Sequence, residues 1–65
     1  MQVIINGKTE TLNRTVTVAY LVKEMNLKGK IAVEINQEIL PHSQFDKYII
    51  NNGDKLEIVR AIGGG

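Results

Sequence analysis

The sequence predicts an α+β domain in which one helix packs across one face of a single β-sheet. Three observations lead to this prediction. The chain has 65 residues, which is enough for one domain only. Short β-branched segments alternate with turn residues, and one segment has the period of a helix. The predicted order of elements is β-β-α-β-β-β, for which a sheet covered by one helix is the simplest two-layer arrangement.

The first predicted element is a β-hairpin over residues 2–12. Residues 1–5 are mostly apolar and β-branched. The Asn6-Gly7 pair that follows is the strongest short-range hairpin signal, because both central residues of a type I′ turn need a positive φ. Residues 8–12 then form the returning strand.

The helix is predicted over residues 17–26. Apolar side chains recur there with the spacing i, i+3, i+4 and i+7, at Val18, Leu21, Val22 and Met25. Thr17 is the expected N-cap, and Val16 before it is placed to pack against Leu21. Gly29 is expected to take the left-handed conformation that closes the helix exit.

Two strands joined by a tight turn follow the helix. Residues 31–35 alternate in polarity, and residues 38–40 form a shorter strand. Asn36-Gln37 is the turn between them. Pro41 ends the short strand and favours an edge position for it, because proline cannot donate a hydrogen bond to a neighbouring strand.

The rest of the chain contains an irregular segment and the last strand. Residues 42–50 are expected to be irregular or a single helical turn. Three side chains of this segment are expected in the core: Phe45, Tyr48 and Ile49. A turn cluster over residues 51–54 leads into the last strand, which is predicted over residues 55–62 and continues directly into glycines.

Alternation along the strands predicts which side chains face the helix. With Leu56 and Ile58 facing it, Val59 and Ala61 face away. On the first and third strands the outward side chains are Ile4, Ala32 and Glu34. Ile4 and Val59 are thus expected to form an exposed apolar patch, and in a monomer such a patch often marks a partner surface. The alternative is that the irregular segment covers them.

Composition argues against several classes of function. The formal net charge is +1, and eight basic residues are scattered among seven acidic ones, unlike the clustered Lys and Arg of nucleic-acid binders. No apolar stretch approaches the length of a membrane span. The chain has no cysteine, and its single histidine, His42, is expected to be a surface residue rather than a metal ligand or base. We expect a monomer in the cytoplasm, without nucleic-acid or membrane partners.

The last three residues, Gly63, Gly64 and Gly65, carry the clearest functional signal. Glycine loses the most conformational freedom on ordering and adds no side chain to a core, so three in a row have no structural purpose. We expect a domain over residues 1–62 and a flexible tail over residues 63–65 that carries a carboxylate into a narrow channel of another protein. The alternative is an unimportant disordered end.

Two segments of the chain resemble the ThiS family, the sulfur carriers of thiamine biosynthesis. Residues 52–65, from Asn-Gly-Asp-Lys to the glycines, look like that family's C-terminus. Residues 33–41 resemble its middle segment, in which an Asn turn precedes a short strand and a proline. The resemblance covers the whole chain, including its short length. It implies a β-grasp (ubiquitin-like) fold, with a mixed sheet of four to five strands and one helix.

The resemblance also implies a mechanism. In similar proteins an E1-like adenylyltransferase (ThiF-type) uses ATP and Mg²⁺ to adenylate the last glycine, because a carboxylate ionised at neutral pH is a poor acyl donor. Sulfur from a persulfide enzyme then displaces the adenylate and leaves a thiocarboxylate. A thiazole synthase (ThiG-type) takes that sulfur. The carrier is a co-substrate, not an enzyme, and it has no bound cofactor.

Carried over to this sequence, the resemblance gives each tail residue a role. Gly65 is the position that is adenylated and converted to the thiocarboxylate. Gly63 and Gly64 are tail residues, where a side chain would obstruct the channel. The expected partner contacts are three positions that lead into the tail, together with one from the strand parity: Val59, Ala61, Ile62 and Ile4.

Other functions stay open at this point. The small subunit of molybdopterin synthase, or a carrier for another sulfur pathway, uses the same tail chemistry, although such proteins are usually longer. A ubiquitin-like modifier would be joined to lysines. A plain interaction module would have an inert tail.

Overall fold

The computed structural model describes residues 1–60 and contains the predicted order of elements. The elements are β1 (Gln2–Ile5), β2 (Lys8–Thr11), α1 (Val18–Glu24), β3 (Ile31–Ile35), β4 (Glu38–Leu40), a 3₁₀ turn (His42–Gln44) and β5 (Lys55–Arg60). The last two residues of the predicted final strand and the whole predicted tail lie outside the described residues. Their assignment stays a prediction.

The five strands form one mixed sheet in the order β2-β1-β5-β3-β4. The first and last strands, β1 and β5, run parallel and adjacent, whereas the other neighbours are antiparallel. β5 therefore lies in the middle of the sheet, with a partner on each side. β4 lies at an edge, as Pro41 predicts.

Two-residue turns close both hairpins, and both turns use asparagine. Asn6 and Gly7 have φ values of 51° and 83°, which confirms the predicted type I′ turn. Asn36 and Gln37 have φ values of 53° and 73°, so the second turn adopts positive φ without glycine. A positive φ is unfavourable for residues other than glycine. The Asn36 side chain offsets this cost, because its Oδ1 accepts a hydrogen bond of 3.1 Å from the backbone N–H of Lys55.

The helix begins as predicted but ends differently. Thr17 caps it, since its Oγ1 accepts a 3.1 Å hydrogen bond from the backbone N–H of Tyr20. The residue that takes the left-handed conformation at the exit is Asn26, with φ of 58°. Gly29 also has a positive φ, but it lies three residues later in the loop. Asparagine tolerates this conformation better than most other residues with a side chain. The helix therefore ends at Asn26, which comes before Gly29 in the chain.

The core lies between α1 and one face of the sheet. Its buried side chains come from β1, α1, β3, β5 and the segment between β4 and β5: Val3, Ile5, Val18, Leu21, Val33, Ile35, Phe45, Ile50, Leu56 and Ile58. The predicted entry of Phe45 is confirmed, and Tyr48 is half-buried against the core. The prediction for Ile49 is wrong by one residue, because Ile49 is 52% exposed and Ile50 is 1% exposed. Thr17 forms an antiparallel bridge with Ile49, and the alternation within that bridge turns Ile50 inward.

A buried carboxylate joins the connection before β5 to the turn between β3 and β4. Asp54 is 7% exposed, and its Oδ2 accepts hydrogen bonds from the Tyr48 hydroxyl at 3.0 Å and the Asn51 backbone N–H at 2.9 Å. Its Oδ1 accepts one from Asn36 Nδ2 at 3.1 Å. The sequence indicated only a turn residue at Asp54, but the carboxylate is satisfied on both oxygens, as a buried charge must be.

The Tyr48–Asp54 hydrogen bond should make stability depend on alkaline pH. Burial, and then the hydrogen bond and negative charge of Asp54, raise the pKa of Tyr48 above its usual value. A raised folded-state pKa stabilises the fold below pH ~10, and this stabilisation is lost as the pH rises through the folded pKa. We expect Tyr48→Phe to cost ~1 kcal/mol at pH 8 and to flatten the decline above pH ~10. Urea unfolding across this range tests both, and equal slopes for the two proteins would contradict the assignment.

Candidate functional site

The face of the sheet that points away from α1, called the open face below, contains the two described residues predicted to contact partners. Ile4 is 36% exposed and Val59 is 56% exposed. Their strand neighbours Val3, Ile5 and Ile58 are buried, so the predicted parity is confirmed. The segment over residues 42–50 sends Phe45 and Ile50 into the core on the other side. It therefore leaves the open face uncovered.

The strand register separates Ile4 from Val59. Ile4 is paired with Lys55 at the beginning of β5, and Val59 lies four residues further along the same strand, ~13 Å away. Val59 is opposite Ala32 of β3. Lys55 and Glu57 lie between the two apolar side chains on this face. Ile4 and Val59 thus do not form one continuous patch, which the sequence parity alone had suggested.

A further exposed apolar residue, Ile39, lies nearer to Val59 in the sheet than Ile4 does. Ile39 of β4 is 76% exposed and is paired with Glu34 of β3. Glu34 is paired in turn with Glu57 of β5. Because Val33 and Ile35 are buried, these side chains all lie on the open face. The sequence predicted the strand that contains Ile39 but assigned no face to it, because the face depends on the register with β3.

Asn6 holds the end of the central strand that leads toward the tail. Its Nδ2 donates a 3.0 Å hydrogen bond to the carbonyl of Ile58, and its Oδ1 accepts one of 2.8 Å from the Ile58 N–H. Its backbone N–H also donates to the Leu56 carbonyl at 2.9 Å. One turn residue thereby extends the parallel pairing of β1 and β5 by two residues. The Asn-Gly signal predicted the turn but gave no sign of this contact.

Replacing Asn6 by glycine should loosen this end of β5 selectively. Glycine keeps the positive φ but removes both side-chain hydrogen bonds to Ile58, so we expect a loss of ~2 kcal/mol in the free energy of unfolding. Amide hydrogen exchange should become faster at Ile58 than at Val3, which is paired with Glu10 of β2 rather than with β5. Unchanged protection of the Ile58 amide would contradict this role.

The other predicted site residues lie outside the described part of the chain. Ala61 and Ile62, predicted as partner contacts, and the three glycines of the tail keep their roles as predictions. Within residues 1–60, no group of three or more His, Cys, Asp or Glu side chains could hold a metal ion. In the same part of the chain, no helix is long and apolar enough to cross a membrane. The ring of His42 lies against Phe45, with 4.6 Å between the ring centroids.

Comparison with known proteins places this sheet and its C-terminal segment in a family. A family model described as the ThiS family matches residues 3–65. The sulfur carrier protein ThiS of Escherichia coli is 29% identical over 66 residues, which cover both chains completely. A protein named thiazole synthase from Paramagnetospirillum magneticum is 44% identical over 66 residues, and the chain spans only 20% of that protein's length.

A solved structure has the same fold. The crystal structure of the thiamine biosynthesis protein ThiS from Geobacter metallireducens superposes with a TM-score of 0.84 at 29% identity, with both chains fully covered. This agreement over the whole chain confirms the predicted β-grasp arrangement of a mixed sheet and one helix. Since the family match also covers nearly the entire sequence, the chain belongs to the ThiS family.

Proposed function

We propose that the chain is a sulfur carrier of thiamine biosynthesis, in which Gly65 carries the sulfur as a thiocarboxylate. The observation that supports this most strongly is the family match over residues 3–65, which includes all three glycines. Similarity over the full length to a protein named sulfur carrier protein ThiS agrees with it. The molybdopterin-type carrier and the lysine modifier have no comparable support.

The chemistry that we propose needs an activated carboxyl group. Attack of the Gly65 carboxylate on the α-phosphorus of ATP forms an acyl-adenylate and releases pyrophosphate. The terminal sulfur of a persulfide then displaces AMP. A second thiol then attacks the sulfur that belongs to the persulfide enzyme. This forms a disulfide between that sulfur and the thiol, and it releases the thiocarboxylate on Gly65. ATP and Mg²⁺ are bound by the partner enzyme, so the carrier acts as co-substrate.

The described residues would serve this chemistry by presenting the tail from a fixed point. β5 is paired on both sides, and Asn6 bonds both backbone groups of Ile58. This supports a division into a domain over residues 1–62 and a tail over residues 63–65. A side chain at Gly63 or Gly64 would widen the part of the chain that enters the partner's channel.

Three partners follow from the proposal. They are an adenylyltransferase of the ThiF type, a persulfide enzyme that supplies sulfur, and a thiazole synthase of the ThiG type. The similarity to a protein named thiazole synthase supports the third. Ile4, Val59, Ala61 and Ile62 are the contacts that we propose, and the carrier would act as a monomer in the cytoplasm.

The test is an intact-mass measurement. The chain is incubated with a ThiF-type adenylyltransferase, ATP, Mg²⁺ and a persulfide donor. The expected result is the replacement of one oxygen by sulfur, located on Gly65 by fragmentation. Transfer of this sulfur to thiazole synthase, but not to a molybdopterin precursor, distinguishes the two sulfur pathways. Isopeptide adducts on lysine would support the modifier instead, and an unchanged mass with a cognate enzyme would exclude the carrier function.

A further inference from the structure

Two glutamates face each other in the middle of the open face. Glu34 of β3 is directly opposite Glu57 of β5, and both side chains are exposed. Side chains in such a pair have Cβ atoms ~5 Å apart, and like charges placed opposite each other destabilise a sheet. The fold therefore gains nothing from this pair, which suggests that it serves an interaction instead.

An exposed apolar side chain adjoins each of the two carboxylates. Ile39 is beside Glu34 on the outer strand, and Val59 follows Glu57 by two residues on β5. Both are more than half exposed. Lys55 is on the same face but lies on the other side of Glu57, next to Ile4. A partner that covers Ile39 and Val59 must also cover the two carboxylates between them.

Covering this pair with an apolar surface alone would be unfavourable. Removing water strengthens the repulsion between two like charges, and each buried carboxylate needs an opposite charge or hydrogen-bond donors. A guanidinium can bond both carboxylates through its several N–H donors, and an ammonium can bridge them as a point charge. The complementary surface is thus apolar with a cation at its centre.

We propose that this face docks on the adenylyltransferase, and that an arginine or lysine of that enzyme enters between Glu34 and Glu57. The inference rests on the proposed function. Ile39 and Val59 then pack around the inserted side chain. Glu57 and Val59 lie on β5, the strand that leads to the residue to be modified, so docking and delivery of the tail would use the same strand.

The adenylyltransferase is the partner that this charge pattern fits best. An enzyme that binds the phosphates of ATP concentrates Arg and Lys near its site, because these side chains bind phosphate. The carrier has a formal net charge of +1, so its overall charge does not attract it to such a site. A local pair of carboxylates on the docking face supplies the attraction.

The experiment compares two double variants with the same net charge. The acidic-pair variant is Glu34→Gln with Glu57→Gln, and the control is Glu10→Gln with Glu24→Gln, whose residues are exposed on β2 and α1. Pyrophosphate release by the adenylyltransferase is measured against carrier concentration. We expect the acidic-pair variant to raise KM for the carrier at least ~10-fold with kcat unchanged. The control should match the wild type, and urea unfolding should show no loss of stability in the acidic-pair variant.

Each other outcome has a separate meaning. If the wild type is adenylated and both variants have its KM, the docking proposal is overturned and the carrier function stands. The same conclusion holds if only the transfer from a preformed thiocarboxylate to thiazole synthase is impaired, because the face then serves the other enzyme. If the wild type is not adenylated at all, the carrier function and the docking proposal fail together.

Discussion

Deleting Gly65 should abolish thiocarboxylate formation while leaving the free energy of unfolding unchanged. The shortened chain still ends in a glycine carboxylate, so the functional group is present, but it is displaced by one residue, or ~3.5 Å. A displacement of ~1 Å at a reacting centre can cost 100-fold in rate. We therefore expect the adenylation rate to fall at least ~100-fold. Intact mass after incubation with adenylyltransferase, ATP and a persulfide donor gives the readout.

Extending the chain by one alanine after Gly65 is the complementary change. It moves the carboxylate forward by the same distance and adds a methyl group in the channel, so the loss should be equally large. Urea unfolding of both variants serves as the control, because neither change touches the core. Full activity of the extended chain would show that a free carboxylate on Gly65 is not the reacting group.

Local signals predicted most of the fold correctly. Asn6-Gly7 is confirmed as a turn with two positive φ values, and Thr17 is confirmed as the helix cap. Each of these features depends on a few consecutive residues, so the sequence contains the information directly. The exit of the helix at Asn26 was missed because the prediction assigned the left-handed position to glycine, whereas asparagine also adopts a positive φ and Asn26 comes earlier in the chain.

Features that depend on pairing between distant segments were harder to predict. Ile49 and Ile50 are both apolar, and only the bridge from Ile49 to Thr17 decides which one turns inward. The network around Asp54 joins the connection between β4 and β5 to Asn36, which lies in a turn 18 residues earlier. In each case the deciding contact is made with a residue that is distant in sequence, and the local pattern cannot predict such a contact.

The predictions for the candidate site also divide into those that depend on local pattern and those that depend on strand pairing. The parity along each strand correctly placed Ile4 and Val59 on the open face, because alternation is a local property. The distance between them, and the Glu34–Glu57 pair, follow from the strand order and register. The roles of the tail residues rest on composition and family resemblance. They stay predictions, because residues 61–65 lie outside the described structure.

Leu56 and Val59 lie three residues apart on the central strand, and their alanine variants should separate folding from function. Leu56 is 0% exposed and is paired with Ile5 on one side and Ile35 on the other. Its truncation leaves a cavity in the core, so we expect a loss of ~3 kcal/mol, within the usual range for buried leucine. A domain of this size has a stability of only ~3–5 kcal/mol, so Leu56→Ala should keep at most ~2 kcal/mol and unfold at a much lower urea concentration, as followed by circular dichroism.

Val59→Ala should change stability by less than ~0.5 kcal/mol, because the side chain is more than half exposed on the open face. It should nevertheless raise KM for the carrier in the adenylation assay, since Val59 packs against the partner in the docking that we propose. The same strand would then stabilise the domain through Leu56 and bind the enzyme through Val59. A Val59→Ala protein with wild-type KM would remove Val59 from the docking surface, and a Leu56→Ala protein of wild-type stability would contradict the core position of β5.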